Sequence, residues 1–211
     1  MAQAPRERLN HLLDLAAQGP AGRAALLEEL TDLLLDWPKD YALAMRAPFE
    51  ALLEKTARDV DAATRAGIAV RLEGHDELPV SLLNEFFLEA PQGLRARILA
   101  LNDVLEGETD TPSPPDSTAL LAAARTMNGA FAEKFAQALS LPPPTAKDIL
   151  TDASGQSLAV ACKGSGIDRA TFSSIALLTA HGGNPLERLS AYDQVPQAAA
   201  IRLTEFWRAR G

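Results

Sequence analysis

The chain is 211 residues long, 47% hydrophobic but only 5% aromatic, and carries a net charge of −8 at neutral pH. That is length for one large or two small domains around a sizeable core, in a Leu- and Ala-rich composition that favours helices over strands. A single cysteine, Cys162, excludes an internal disulfide and a multi-cysteine metal site; no apolar run is long enough to cross a bilayer, so the expectation is a cytoplasmic protein with no membrane contact.

In chain order, the spacing predicts a first helix over residues 5–17, with Leu9, Leu12, Leu13 and Ala16 on one face and Gly19-Pro20 ending it. The second is the clearest: Leu26, Leu27, Leu30, Leu33 and Leu34 form a stripe, while Glu28, Glu29, Asp32 and Asp36 lie largely opposite. Trp37-Pro38 closes it, because a proline pushes the preceding residue out of the helical region. A third helix is expected over residues 40–57, kinked or broken at Pro48, where a backbone donor is missing. Asp59 and Asp61 offer N-caps to a helix holding Arg65, Ile68 and Leu72. Leu78-Pro79 then opens a short helix with Leu82, Leu83, Phe86 and Phe87, and Ala90-Pro91 opens one with Leu94, Ile98, Leu101 and Leu105.

Residues 106–117 combine Gly107, Pro112, Pro114 and Pro115 with Thr, Ser and Asp. Such a segment buries little and is the best linker candidate. Beyond it, residues 119–139 read as one longer helix through Leu120, Met127, Phe131, Phe135 and Leu139. Pro142-Pro143-Pro144 stops that helix, and Thr145 with Asp148 three residues on suggests a capping pattern for the next. Helices over 156–163 and 169–180, the latter capped by Asp168, are followed by a last one over 195–209 with Ala199, Leu203, Phe206 and Trp207. Gly164, Gly166, Gly182 and Gly183 mark C-terminal ends.

Arg65-Ala66-Gly67-Ile68 and Arg95-Ala96-Arg97-Ile98 repeat one helix face thirty residues apart. A period of roughly 20–50 residues is the mark of stacked helical units. The expected fold is therefore all-α: a HEAT-like α-solenoid over 1–106, a Pro-rich linker at 107–118 and a smaller helical bundle over 119–211. Residues 1–110 hold 20 acidic and 11 basic side chains, against 8 and 9 afterwards. An acidic front half argues against a nucleic-acid partner. Its one concentration of basic residues, Arg65, Arg71, Arg95 and Arg97, is the candidate partner-binding row for an unknown protein.

No catalytic, cofactor or metal site emerges. His11, His75 and His181 lack the i+4 ligand spacing of helical zinc sites. The paired acids read as helix caps, Gly164-Ser165-Gly166 lacks a P-loop ending, and Cys162 sits in an apolar run that suits a buried, inert thiol. The chain thus reads as a non-enzymatic interaction scaffold or regulatory adaptor. The alternative is a transcription-linked DNA binder using a helix-turn-helix-like unit at 156–180, although Arg169 is the only base on its second helix.

Several segments resemble an uncharacterised alphaproteobacterial domain-of-unknown-function family with HEAT-like repeats. These are Asp59-Val60-Asp61 with Arg65-Ala66, the run Gly155–Cys162, Gly166-Ile167-Asp168 with Phe172, Tyr192-Asp193-Gln194-Val195-Pro196, and Trp207-Arg208. The resemblance implies HEAT-like helices followed by a helical C-terminal part, and no activity whose residues could be carried over.

Overall fold

A computed structural model describes residues 11–12, 14–37, 45–107, 109–110, 112–126, 130–180 and 184–210. Among them there are helices and no strands. None of the helices is long and apolar enough to cross a membrane. The chain divides into two compact units, residues 1–95 and 96–211.

In the first unit the helices are α1 (Gly19–Leu35), α2 (Arg46–Arg58), α3 (Ala62–Leu72) and α4 (Val80–Glu85); α5 (Gln92–Val104) contains the division between the units. The leucine stripe of α1 is buried as its period demands, with Leu27 and Leu30 fully so. Ahead of it, residues 11–12 and 14–17 are helical, with Leu15 buried, Leu12 half-buried and Ala16 exposed, while Leu9 and Leu13 of the expected face lie outside the described residues. Pro48 neither kinks nor breaks α2. It is the third residue of that helix, within the first turn, where the backbone amide has no intrahelical acceptor to lose. The stretch expected to precede it, 40–44, lies outside the described residues. Asp61 caps α3 by accepting the Thr64 amide at 2.8 Å, which holds its carboxyl below the usual aspartate range. Asp59 instead closes α2, its amide donating to the Thr56 carbonyl.

The second unit holds α6 (Ser117–Thr126), α7 (Phe131–Leu139), α8 (Pro143–Thr151), α9 (Gln156–Gly164), α10 (Arg169–Leu178), α11 (Pro185–Gln194) and α12 (Gln197–Arg208). The single long helix expected over 119–139 is two helices, α6 and α7, packed on each other. Asn128-Gly129 between them is a breaker pair that the apolar period obscures; both, with Met127, lie outside the described residues. Ser140 ends α7 in the left-handed conformation, φ 55°. Thr145 is not a cap. It sits inside α8, which starts two residues earlier because prolines at the first turn pre-set the helical φ and need no amide partner. Asp168 does cap α10, accepting the Ala170 and Thr171 amides at 2.8 and 3.0 Å. A further helix, α11, occupies residues 185–194, which the spacing left unassigned.

The axis of this unit is the crossing of α9 on α12, the most extensive helix pairing among the described residues. Leu158, Ala159, Val160, Ala161 and Cys162 are all fully buried, as are Ala199, Ala200, Leu203 and Trp207. Small residues let the backbones approach: Gly164 lies against the Ala200 carbonyl and the Thr204 hydroxyl. The expected linker is built into the same unit. Arg202 of α12 donates to the carbonyls of Asn102 and Gly107, and the Pro112 and Pro114 backbone lies against Gly166, whose φ of 75° suits glycine.

Candidate functional site

Each of the four arginines proposed as a partner-binding row has contacts within the chain. Arg65 donates from Nε to Glu89 at 2.8 Å and from Nη1 to the Val60 carbonyl at 2.7 Å. Its side chain is 15% exposed and that of Glu89 only 10%, so the pair is largely internal. Arg95 is buried; it donates to the Leu88 carbonyl and lies over the Phe87 ring, 5.6 Å from its centroid. Arg71 is exposed and pairs with Asp32 of α1. Arg97 is half-buried and also has an interaction within the protein. Arg65 and Arg95 are therefore contacts that hold the first unit together rather than an open ridge.

A direct consequence is that Arg65→Ala destabilises this unit by about 2–3 kcal/mol, because the Glu89 carboxyl is left mostly buried without its guanidinium donor. Urea unfolding followed through Trp37 fluorescence measures it. A change under 0.5 kcal/mol, roughly the limit for an ordinary surface substitution, would return Arg65 to the surface class.

Of the histidines, His11 and His75 are exposed, and His181 lies outside the described residues. Among the described residues no group of three or more His, Cys, Asp or Glu side chains converges to hold a metal. Cys162 is fully buried, and burial pushes its thiol far above the ordinary range, which makes it a packing residue rather than a nucleophile.

The helix-turn-helix-like segment resolves into α9, a turn at residues 165–168 and α10. Its one base on the second helix, Arg169, holds Asp193 through two nitrogens at 2.8–3.0 Å. Lys163 is turned inward, donating to the Tyr192 and Val195 carbonyls at 2.9 and 2.6 Å and lying 4.8 Å from the Tyr192 ring centroid. Burial lowers the Lys163 pKa, with the Asp193 charge opposing that shift. Tyr192 donates from its hydroxyl to the Ile167 carbonyl at 2.7 Å and its ring packs on Phe172 at a tilt of 36°. The conspicuous basic and aromatic residues of this region thus tie α11 to the α9–α10 turn.

What α10 leaves outward is less polar than its sequence suggests. Ser173 and Ser174 donate their hydroxyls back to the Arg169 and Ala170 carbonyls, at 2.8 and 3.1 Å. Leu177 of α10 and Leu186 of α11 are 55% and 76% exposed, on two helices that pack on each other. Leu186 carries no signal in the sequence, because the apolar positions of α11 are too few to mark a helix face. Compared with family models, with curated proteins and with solved structures, the chain finds no match in any of the three.

Proposed function

We propose that this chain is a non-enzymatic protein–protein interaction module, a scaffold or regulatory adaptor, with a HEAT-like stack as its front part. The stacked reading is supported by side-chain links that recur at similar separations. Arg46 reaches the Glu77 carbonyl, Ser81 reaches Glu54, Arg58 reaches Glu85 and Arg65 reaches Glu89, across 31, 27, 27 and 24 residues. Links at about one repeat length are what neighbouring helical units make.

The interaction reading is carried by the exposed pair Leu177 and Leu186. A single outward leucine is ordinary; one on each of two packed helices, with serines on α10 whose hydroxyls are satisfied internally, offers apolar surface to a partner. The test is affinity capture with the wild-type chain and with a Leu177→Glu/Leu186→Glu variant, both shown to unfold at the same urea concentration. The proposal expects specific proteins retained by the wild type to be lost by the variant. Equal recovery of every protein by both chains would remove this face from consideration.

A further inference from the structure

Where α5 ends, at Val104, the chain turns through Gly107, whose φ of 118° is open to glycine and costly for other residues. Arg202 of α12 holds this turn on either side, donating from Nη1 to the Asn102 carbonyl and from Nη2 to the Gly107 carbonyl. The Asn102 side chain is itself buried and donates to the Ile98 carbonyl at 2.8 Å. Between these anchors the chain faces water. Val104 is 75% and Leu105 43% exposed, and the acids on either side of them, Asp103 and Glu106, are exposed too.

Charge decides what can cover this apolar pair. Residues 98–124 contain five acids, Asp103, Glu106, Glu108, Asp110 and Asp116, and no Lys, Arg or His. Asp116 caps α6 by accepting the Thr118 and Ala119 amides. The exposed carboxylates of Asp103, Glu106 and Asp110 make no hydrogen bond or ion pair with any described residue. Elsewhere Asp32, Glu50, Glu85, Glu89 and Asp193 are each matched by an arginine. Arg202, the base that touches the turn, is directed at carbonyls. We infer that residues 103–106 dock a basic amphipathic segment of another protein, its apolar side chains on Val104 and Leu105 and its Lys or Arg beside Asp103 and Glu106. An acidic segment would meet carboxylates of its own sign. A second copy of this chain, at net charge −8, would set the same acids against themselves across a two-fold axis. An uncharged apolar partner would desolvate the flanking carboxylates without a counter-charge. Because the turn is already held in one shape, binding has little of it left to order. The surface shares no residue with the Leu177–Leu186 face, and each stands or falls alone.

The experiment is fluorescence anisotropy of a labelled peptide of leucine and lysine at helical spacing, titrated with the full chain. Two comparators replace every lysine by glutamate, or every leucine by serine. Saturable binding of one leucine–lysine peptide is expected, weakened about tenfold by Val104→Ser/Leu105→Ser and about tenfold by Asp103→Lys/Glu106→Lys. Glu28→Lys/Asp36→Lys, at exposed positions in and just after α1, changes the net charge equally and should leave binding within about twofold. All the substituted positions are exposed, so every variant should keep the wild-type urea midpoint. A titration without saturation, or no weakening by the serine variant, overturns the inference. So does a comparator peptide that binds as tightly, or equal weakening by the two lysine variants, which would leave only bulk charge attraction.

Discussion

Gly164→Ala is expected to destabilise the second unit by about 2–3 kcal/mol, although alanine is the best helix former and Gly164 is helical. A Cβ at this position would sit 2.2 Å from the Ala200 carbonyl oxygen and 2.2 Å from the Thr204 hydroxyl oxygen. The first of these is backbone of α12, so relief requires the two helices to separate. Separation would loosen the tightest part of the core, where Val160, Leu203 and Trp207 are buried. It would also lengthen the bond from the Thr204 hydroxyl to the Val160 carbonyl, already 3.3 Å. Gly67 supplies the opposite case. It too is helical, in α3, but a Cβ there meets nothing within 4 Å, so Gly67→Ala should stabilise by about 0.5–1 kcal/mol through backbone propensity alone. The chain has two tryptophans, and they fall one in each unit, Trp37 and Trp207. Urea unfolding read from each, in backgrounds where the other is phenylalanine, assigns each effect to its unit. If Gly164→Ala were neutral, the α9–α12 crossing would have to be looser than described.

These two glycines show what is legible in the sequence and what is not. Both sit in apolar helical patterns, and nothing local separates one at a helix crossing from one facing solvent. The readable features were those whose partner is close in the chain: the Asp61 and Asp168 caps, the α1 leucine stripe and the buried Cys162 run. Pro48 and Thr145 misled because their position within a turn decides their effect. Proline is harmless in a first turn, and the prolines before Thr145 had already begun its helix. α11 escaped notice because its apolar positions are few and Leu186 faces outward, although Asn184 before Pro185 is a cap signal, with the Asn184 side chain accepting the Leu186 amide at 3.0 Å. The arginines were the hardest. Arg202 and Arg208 look like a basic C-terminal helix. Yet Arg202 donates to carbonyls 95 and 100 residues away, while Arg208 reaches the Leu139 carbonyl across 69 and the Ser165 hydroxyl across 43. Their targets, three carbonyls and one hydroxyl, lie near helix ends, and which end lies close is a property of the folded chain. Helix class is therefore legible in the pattern, whereas the outward leucines of α10 and α11 depend on which side of each helix the folded chain covers.

Arg188 makes such long-range contacts from a buried position. Only 3% exposed, it donates from Nη1 to the Asp152 carbonyl at 2.8 Å and from Nη2 to the Thr179 hydroxyl at 3.1 Å. One side chain therefore joins the ends of α8, α10 and α11. Burial lowers the guanidinium pKa, with the Asp152 charge opposing the shift; the group stays charged at neutral pH, as guanidinium does in proteins. Its aliphatic stem lies against Gly155, where a Cβ would come within 2.4 Å of Arg188 Cγ. Arg188→Ala should cost about 3–4 kcal/mol, through lost hydrogen bonds and an unfilled volume together. Arg188→Met keeps a stem of similar reach and no buried charge, so it should cost only about 1–2 kcal/mol. A methionine variant as unstable as the alanine one would place the energy in the guanidinium contacts. One more stable than wild type would mean that burying the charge costs more than its contacts return. Gly155 provides a control for the stem. Its φ of 72° makes Gly155→Ala unfavourable by about 1–2 kcal/mol on backbone grounds, and contact with the Arg188 stem adds to that. In the Arg188→Ala background the stem contact is gone while the φ cost and the 3.2 Å approach to the residue-188 carbonyl remain, so the two substitutions together should cost less than the sum of the two alone. Additive costs in that double-mutant cycle would show that Gly155 is required by its backbone angle and not by the arginine beside it.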